Sequence, residues 1–192
     1  MSRASYLALI CVLPLATATL AQHEHHGDGD SMGWVPREIL ERPVVLRKGI
    51  GKINDPVTTS LPEAQAFYNQ GVAYLHSYVW IEAARSCNQA LRSDPKLALA
   101  YICLSRAYSG LEDQGAAQSA LENAQSLAAN LSERERLRVS LRAKQVEAIN
   151  DILNSSKHQV YKAAIDAALR KYPDDTELWL LRGNCWKNTG ET

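Results

Sequence analysis

Phenylalanine is nearly missing from this chain: one residue, against eight Tyr and four Trp, so its large rings mostly carry a polar tip. Net charge is missing too, because 21 Lys and Arg balance 21 Asp and Glu. That balance excludes the basic stripe with which nucleic-acid binders attract phosphate, and the charge excess of a disordered acidic tail. Four Cys are too few and too scattered for a disulfide scaffold. Ten Gly and seven Pro are ordinary, which excludes collagen-like and low-complexity chains. What remains is 192 residues, 46% of them hydrophobic, enough for one packed domain.

Catalytic patterns are also lacking. There is no Ser/His/Asp order, no HExxH and no CxxC. Gly49-Ile50-Gly51-Lys52 lacks the spacing, the closing Ser/Thr and the following helix of a phosphate loop, and reads as a turn. The sequence therefore predicts a non-enzymatic protein without a cofactor.

Residues 1–21 read as a signal peptide. Arg3 supplies a positive start, and Tyr6 to Leu15 is an apolar run shorter than the roughly 20 residues of a membrane span. Small residues then precede cleavage after Ala21, with Ala18 as the alternative. This predicts export to a periplasmic or secreted location, with no membrane span after cleavage. The next stretch carries His23, His25 and His26 with Glu24, Asp28 and Asp30. Imidazole and carboxylate suit Cu or Zn. The spacing fits no closed site, however, and a solvated tether is the plainer reading. Residues 34–59 form a lead-in. Pro36, Pro43 and Pro56 forbid a long helix, and Arg42 to Arg47 is expected to lie extended over the domain that follows.

Ser60-Leu61-Pro62-Glu63 reads as a helix start with a capping box. From there the chain repeats with a shift of 34. Ala64, Ala66, Ala73, Tyr74, Ala83 and Ala90 recur as Ala98, Ala100, Ala107, Tyr108, Ala117 and Ala124. Phe67 recurs as Tyr101 and Gly71 as Ser105. Small residues let helices approach and rings fill the space between pairs.

The pattern resembles the tetratricopeptide repeat, W-x2-L-G-x2-Y, then A-x3-F-x2-A, then P. The first copy has Phe67, Gly71, Tyr74, Ala83, Ala90 and Pro95, with Gln70 and Cys87 as departures. The second has Tyr101, Leu104, Tyr108, Ala117, Leu121 and Ala124, with Ser105 and Ala129 as departures. A third unit opens on the capping box Ser132 to Glu135. Its first helix is expected to run to about Leu153, with Leu137, Leu141, Val146, Ile149 and Ile152 inward. Its second helix is expected from about Gln159 to Lys171. Matching Pro95 to Pro173 gives a spacing of 78, so this unit is ten residues longer than the others. A fourth begins at Thr176 with Trp179, Gly183 and Trp186 on the family's Trp, Gly and Tyr slots, and Arg182 in the Leu slot. It lacks a second helix, which suggests the N-terminal part of a longer repeat protein. Self-association through its exposed first helix is the expected consequence.

The predicted fold is thus all-α: a right-handed helical-hairpin solenoid over residues 60–192, with units 64–97, 98–131, 132–175 and 176–192. By resemblance, its concave groove binds a protein or an extended peptide. The groove residues are expected to be Tyr68, Val72, Leu75, His76, Ile102, Arg106 and Ser109. They lack the Lys/Asn cluster of family members that grip a terminal carboxylate. A mildly apolar peptide fits better, or the chain's own lead-in. His76 alone reads as a packing residue. Cys87 and Cys103 lie on consecutive helices, so either a disulfide or two small buried hydrophobes fits, while Cys185 is expected to pack. The charge runs 133–136 and 142–147 read as solvated helix faces. The alternative function is metal handling, with the His-rich tail holding Cu or Zn and the repeats docking a partner.

Overall fold

The computed structural model describes residues 35–189, with side chains through residue 185. The expected signal peptide, His23, His25, His26 and the side chain of Trp186 lie outside the described residues. Among those described, the secondary structure is helical, with no strand.

The helices are α1 (Arg37–Leu40), α2 (Pro62–His76), α3 (Trp80–Ser93), α4 (Ala98–Gly110), α5 (Gln114–Ser126), α6 (Glu133–Asn150), α7 (Ser155–Lys171) and α8 (Thr176–Thr189), with a 3-10 turn at Ala128–Asn130. Consecutive helices pack on each other from α2 to α5 and from α6 to α8, while α4 also touches α2 and α6. The small residues of the repeat sit at these crossings. Ala64, Ala83, Ala90, Ala98, Ala100, Ala107, Ala117 and Ala124 are all buried in one core.

The repeat is written in the backbone as well. Tyr78 (φ 59°) and Glu112 (φ 62°) both adopt the left-handed conformation just past a helix end. In each turn the next N–H reaches back five residues, Val79 to Tyr74 O and Asp113 to Tyr108 O, both at 3.0 Å. Such a closure satisfies carbonyls that a helix end leaves free. The spacing of 78 recurs too: Asp94 N donates to Ala90 O and Tyr172 N to Ala168 O, each at 2.8 Å.

Cys87 and Cys103 form a disulfide between α3 and α4, with Cα atoms 6.3 Å apart. It lies directly on Gly71 of α2, where an added Cβ would overlap Cys87 Sγ and stand 3.1 Å from Cys103 Sγ. Glycine is needed there because three helices converge on the sulfurs. Cys185 is a buried free thiol.

Three local expectations change. The first concerns the start of α2: its N-cap is Leu61, with no side-chain cap, although Pro62 occupies the first turn as expected. Thr59 Oγ1 takes the Leu61 N–H at 3.2 Å, so no Ser60 capping box forms. At Ser132–Glu135 the box is complete. The second is the inner face of α6. Leu141 is buried, but Ile149 and Ile152 are 40% and 71% exposed. The helix ends at Asn150, and its 18 residues outrun the 13 each of α4 and α5. That difference is about 7 Å of helix, so among the described residues the tip of the α6–α7 hairpin is left uncovered. The third is α7, which starts at Ser155 rather than near Gln159.

The lead-in is extended after α1. Gly49 and Gly51 turn it with φ of 82° and 94°, values only glycine adopts freely.

A peptide-like segment over a buried charge network

Side chains of α2 and α3 hold the lead-in by its backbone. Gln70 both accepts from Arg47 N (2.7 Å) and donates to Val45 O (3.2 Å). Gln65 does the same for Val57 N (3.0 Å) and Asp55 O (2.9 Å). Asn88 donates to Leu40 O at 2.9 Å, and Arg85 reaches the carbonyls of Arg42 and Pro43. Glu135, already bound in its capping box, accepts from Thr58 N at 2.7 Å and Thr58 Oγ1 at 2.5 Å. Apart from the Thr58 hydroxyl, these are contacts to peptide groups, satisfied as any extended chain would have them satisfied.

Val44, Ile53 and Val57 of the segment pack against the core, and one acidic side chain goes inward. Asp55 is 5% exposed. It accepts from the Tyr68 hydroxyl (2.6 Å), Arg138 Nη1 (2.6 Å) and Arg134 Nη2 (3.1 Å). Arg134 turns its Nε to Asp175 at 2.7 Å, and Asp175 in turn accepts from Leu178 N at the start of α8. Arg138 also approaches Glu177 of α8 at 3.7 Å. Glu177 meets Arg106 Nη1 of α4 at 3.2 Å and His76 Nε2 of α2 at 2.5 Å. Lead-in, α2, α4, α6 and α8 therefore share one network around three carboxylates, Asp55, Asp175 and Glu177.

The electrostatics follow from burial and pairing. Burial alone raises a carboxyl pKa. At Glu177 the His76 hydrogen bond, then Arg106 and Arg138, override it and hold the group down to about 2. Burial likewise opposes ionisation of Glu135, but its bonds from Thr58 and Ser132 keep its pKa below the usual carboxylate range. Tyr68 is driven far up, first by burial, with Arg138 opposing and Asp55 adding, so it stays a hydroxyl donor.

Arg142, one turn further along α6, differs. It donates to Ser105 Oγ (2.9 Å), Ser105 O (2.8 Å), Ser109 Oγ (2.6 Å) and Gln145 Oε1 (2.8 Å). Among the described residues no carboxylate pairs with it. Burial, and then the charge of Arg106, push its pKa down to about 10.

The expected groove residues are thus distributed as follows. Tyr68, His76 and Arg106 meet in the network, and Ser109 bonds Arg142. Val72, Leu75 and Ile102 are buried in the core. The charge runs expected to be solvated are in part interior, since Glu135 and Arg142 are buried, as is Arg138 between the two runs. Their burial is sustained by partners up to 83 residues away. Asp55, Arg134, Arg138 and Glu177 escaped the sequence reading. The spacing of Arg134, Arg138 and Arg142 was the available signal, because side chains four apart share a helix face.

Beside the network lies a cleft of about 560 Å³. Lys52 to Pro56 form one wall and Lys171 to Glu177 the other, with His76 between them. His76 keeps 23% of its side chain exposed. Among the described residues no group of three or more His, Cys, Asp or Glu is placed to hold a metal ion, and no helix is long and apolar enough to cross a membrane. Neither a family model, nor a curated protein, nor a solved structure matches this chain.

Proposed function

We propose that the chain is an exported, non-enzymatic scaffold of the tetratricopeptide type, a helical-hairpin solenoid that takes an extended peptide or protein segment on its inner face. One observation carries this reading. Side chains of α2, α4, α6 and α8 meet in one network, and an extended stretch of polypeptide already lies against α2 and α6 by backbone hydrogen bonds. The resemblance in the repeat points the same way, as does the repetition of the hairpin turns at a shift of 34. Export is supported by the Cys87–Cys103 disulfide, since such bonds persist in oxidising compartments. The cleft beside the network is the open portion of the surface, where a ligand would first be met.

Selection from a displayed library of random peptides on the full chain tests the reading, followed by fluorescence anisotropy. Peptides of micromolar affinity that His76→Ala or Lys52→Glu weakens are expected. Failure to select any peptide, or steady turnover of a selected one, would sink it.

A further inference from the structure

The lead-in is bound in the manner of a ligand. Its middle is gripped through peptide groups, Val45 and Leu46 remain 65% and 51% exposed, and a single acidic side chain enters the interior. The socket for that side chain is made by Tyr68, Arg134 and Arg138, all from helices. The socket is not sealed, for Asp55, Pro56 and Arg134 themselves line the open cleft. A competing segment can therefore reach the anchor from solvent while the remainder of the lead-in is still in place.

We propose that this socket is a binding site for an extended segment of a partner protein carrying aspartate followed by proline, and that residues 52–58 are its resident intramolecular occupant. The inference rests on the peptide-binding reading above and adds the partner's chemistry. The acid is required because Arg134 and Arg138 converge on it, and the buried Arg138 would otherwise lack that partner. Proline is accommodated because Pro56 has no N–H to satisfy. The flanking positions contribute backbone, which Gln65, Asn69 and Glu135 read, and the apolar side chains of Ile53 and Val57, which pack against the core. The tethered occupant competes at high effective concentration, so a partner binds weakly until the lead-in is released.

A protease site inserted between Thr59 and Ser60 of the full chain allows the lead-in to be cut after folding. A labelled synthetic peptide of residues 50–59 is expected to exchange into the cut protein, and at least about tenfold less into the uncut one. The same peptide with Asp55→Ala should bind at least about tenfold more weakly. Equal binding of both peptides, or a folded cut protein that takes up neither, overturns the proposal. Should cutting unfold the chain, full-length Asp55→Asn is used: the peptide must raise its melting temperature, and no rise overturns the proposal. Library peptides that bind whether or not the lead-in is cut, and without an acid, would leave the scaffold reading standing and remove this one.

Discussion

Arg138 of α6 and Asp55 of the lead-in are 83 residues apart in sequence, yet they form an ion pair of 2.6 Å with both side chains 6% exposed. Breaking such a pair from one side strands a charge in the interior, at a cost of about 3–5 kcal/mol. Asp55→Ala and Arg138→Met should each lower stability by that order in urea denaturation. The double variant should lose less than the combined single losses, because the second substitution removes the stranded charge. Additive losses would contradict the pairing.

Arg142 should behave in the opposite way. It is as buried as Arg138 but meets neutral acceptors, with no carboxylate among the described residues. A buried guanidinium without counter-charge is replaced at little loss by an apolar side chain of similar length. Arg142→Met is expected to melt at or above the parent temperature while Arg138→Met melts well below it. Parallel drops for both would show that Arg142 is stabilised by something other than the serines seen here.

Acid sensitivity follows from Glu177. Its folded pKa is depressed to about 2 from 4.5, so its contribution is present above 4.5 and is lost as pH falls from there towards 2. The shift corresponds to a loss on the order of 3 kcal/mol across that window. Urea midpoints at successive pH values should show the loss in the parent. Glu177→Gln should start lower at neutral pH and change less over the same range. An equal slope in both would assign the acid lability elsewhere.

Small side chains at the crossings should resist enlargement. Ala83 and Ala117 occupy equivalent, fully buried positions, and Ala83→Leu or Ala117→Leu should each cost about 1–3 kcal/mol by overpacking. Thermal denaturation of both variants is the check, and parent-like melting would count against the repeat alignment.

The disulfide closes a short loop, with a sequence separation of 16. A loop of that size contributes about 3 kcal/mol in the chain-entropy picture. The paired substitution Cys87→Ala with Cys103→Ala should lower the melting temperature accordingly. Gly71→Ala should destabilise the oxidised protein, whose sulfurs occupy the space of the new methyl. A stable Gly71→Ala variant with its disulfide intact would mean the three helices can separate there.

The all-α fold and the helical hairpins could be read from residues with local meaning. Ala83, Ala90 and their equivalents recur because close crossings demand small side chains, and Ser132 with Glu135 forms the box its spacing implies. The network could not be read that way. Arg138 looks like any surface cation until Asp55 arrives from the far end of the chain, and no periodicity links the two. His76 read as a packing residue because Glu177, its partner, lies 101 positions on. The misreading of Ile149 and Ile152 has the same root. Their helical phase faces inward, but whether a neighbour is there depends on the lengths of other helices.

Asp55 and Glu177 also govern mechanics. Glu177 ties α8 to α2 and α4, and Asp55 ties the lead-in to α2 and α6. Separating these elements must rupture ion pairs whose carboxylates are 6% exposed, and pairs buried that deeply are screened little by salt, so this part of the protein is held stiffly whatever the ionic strength.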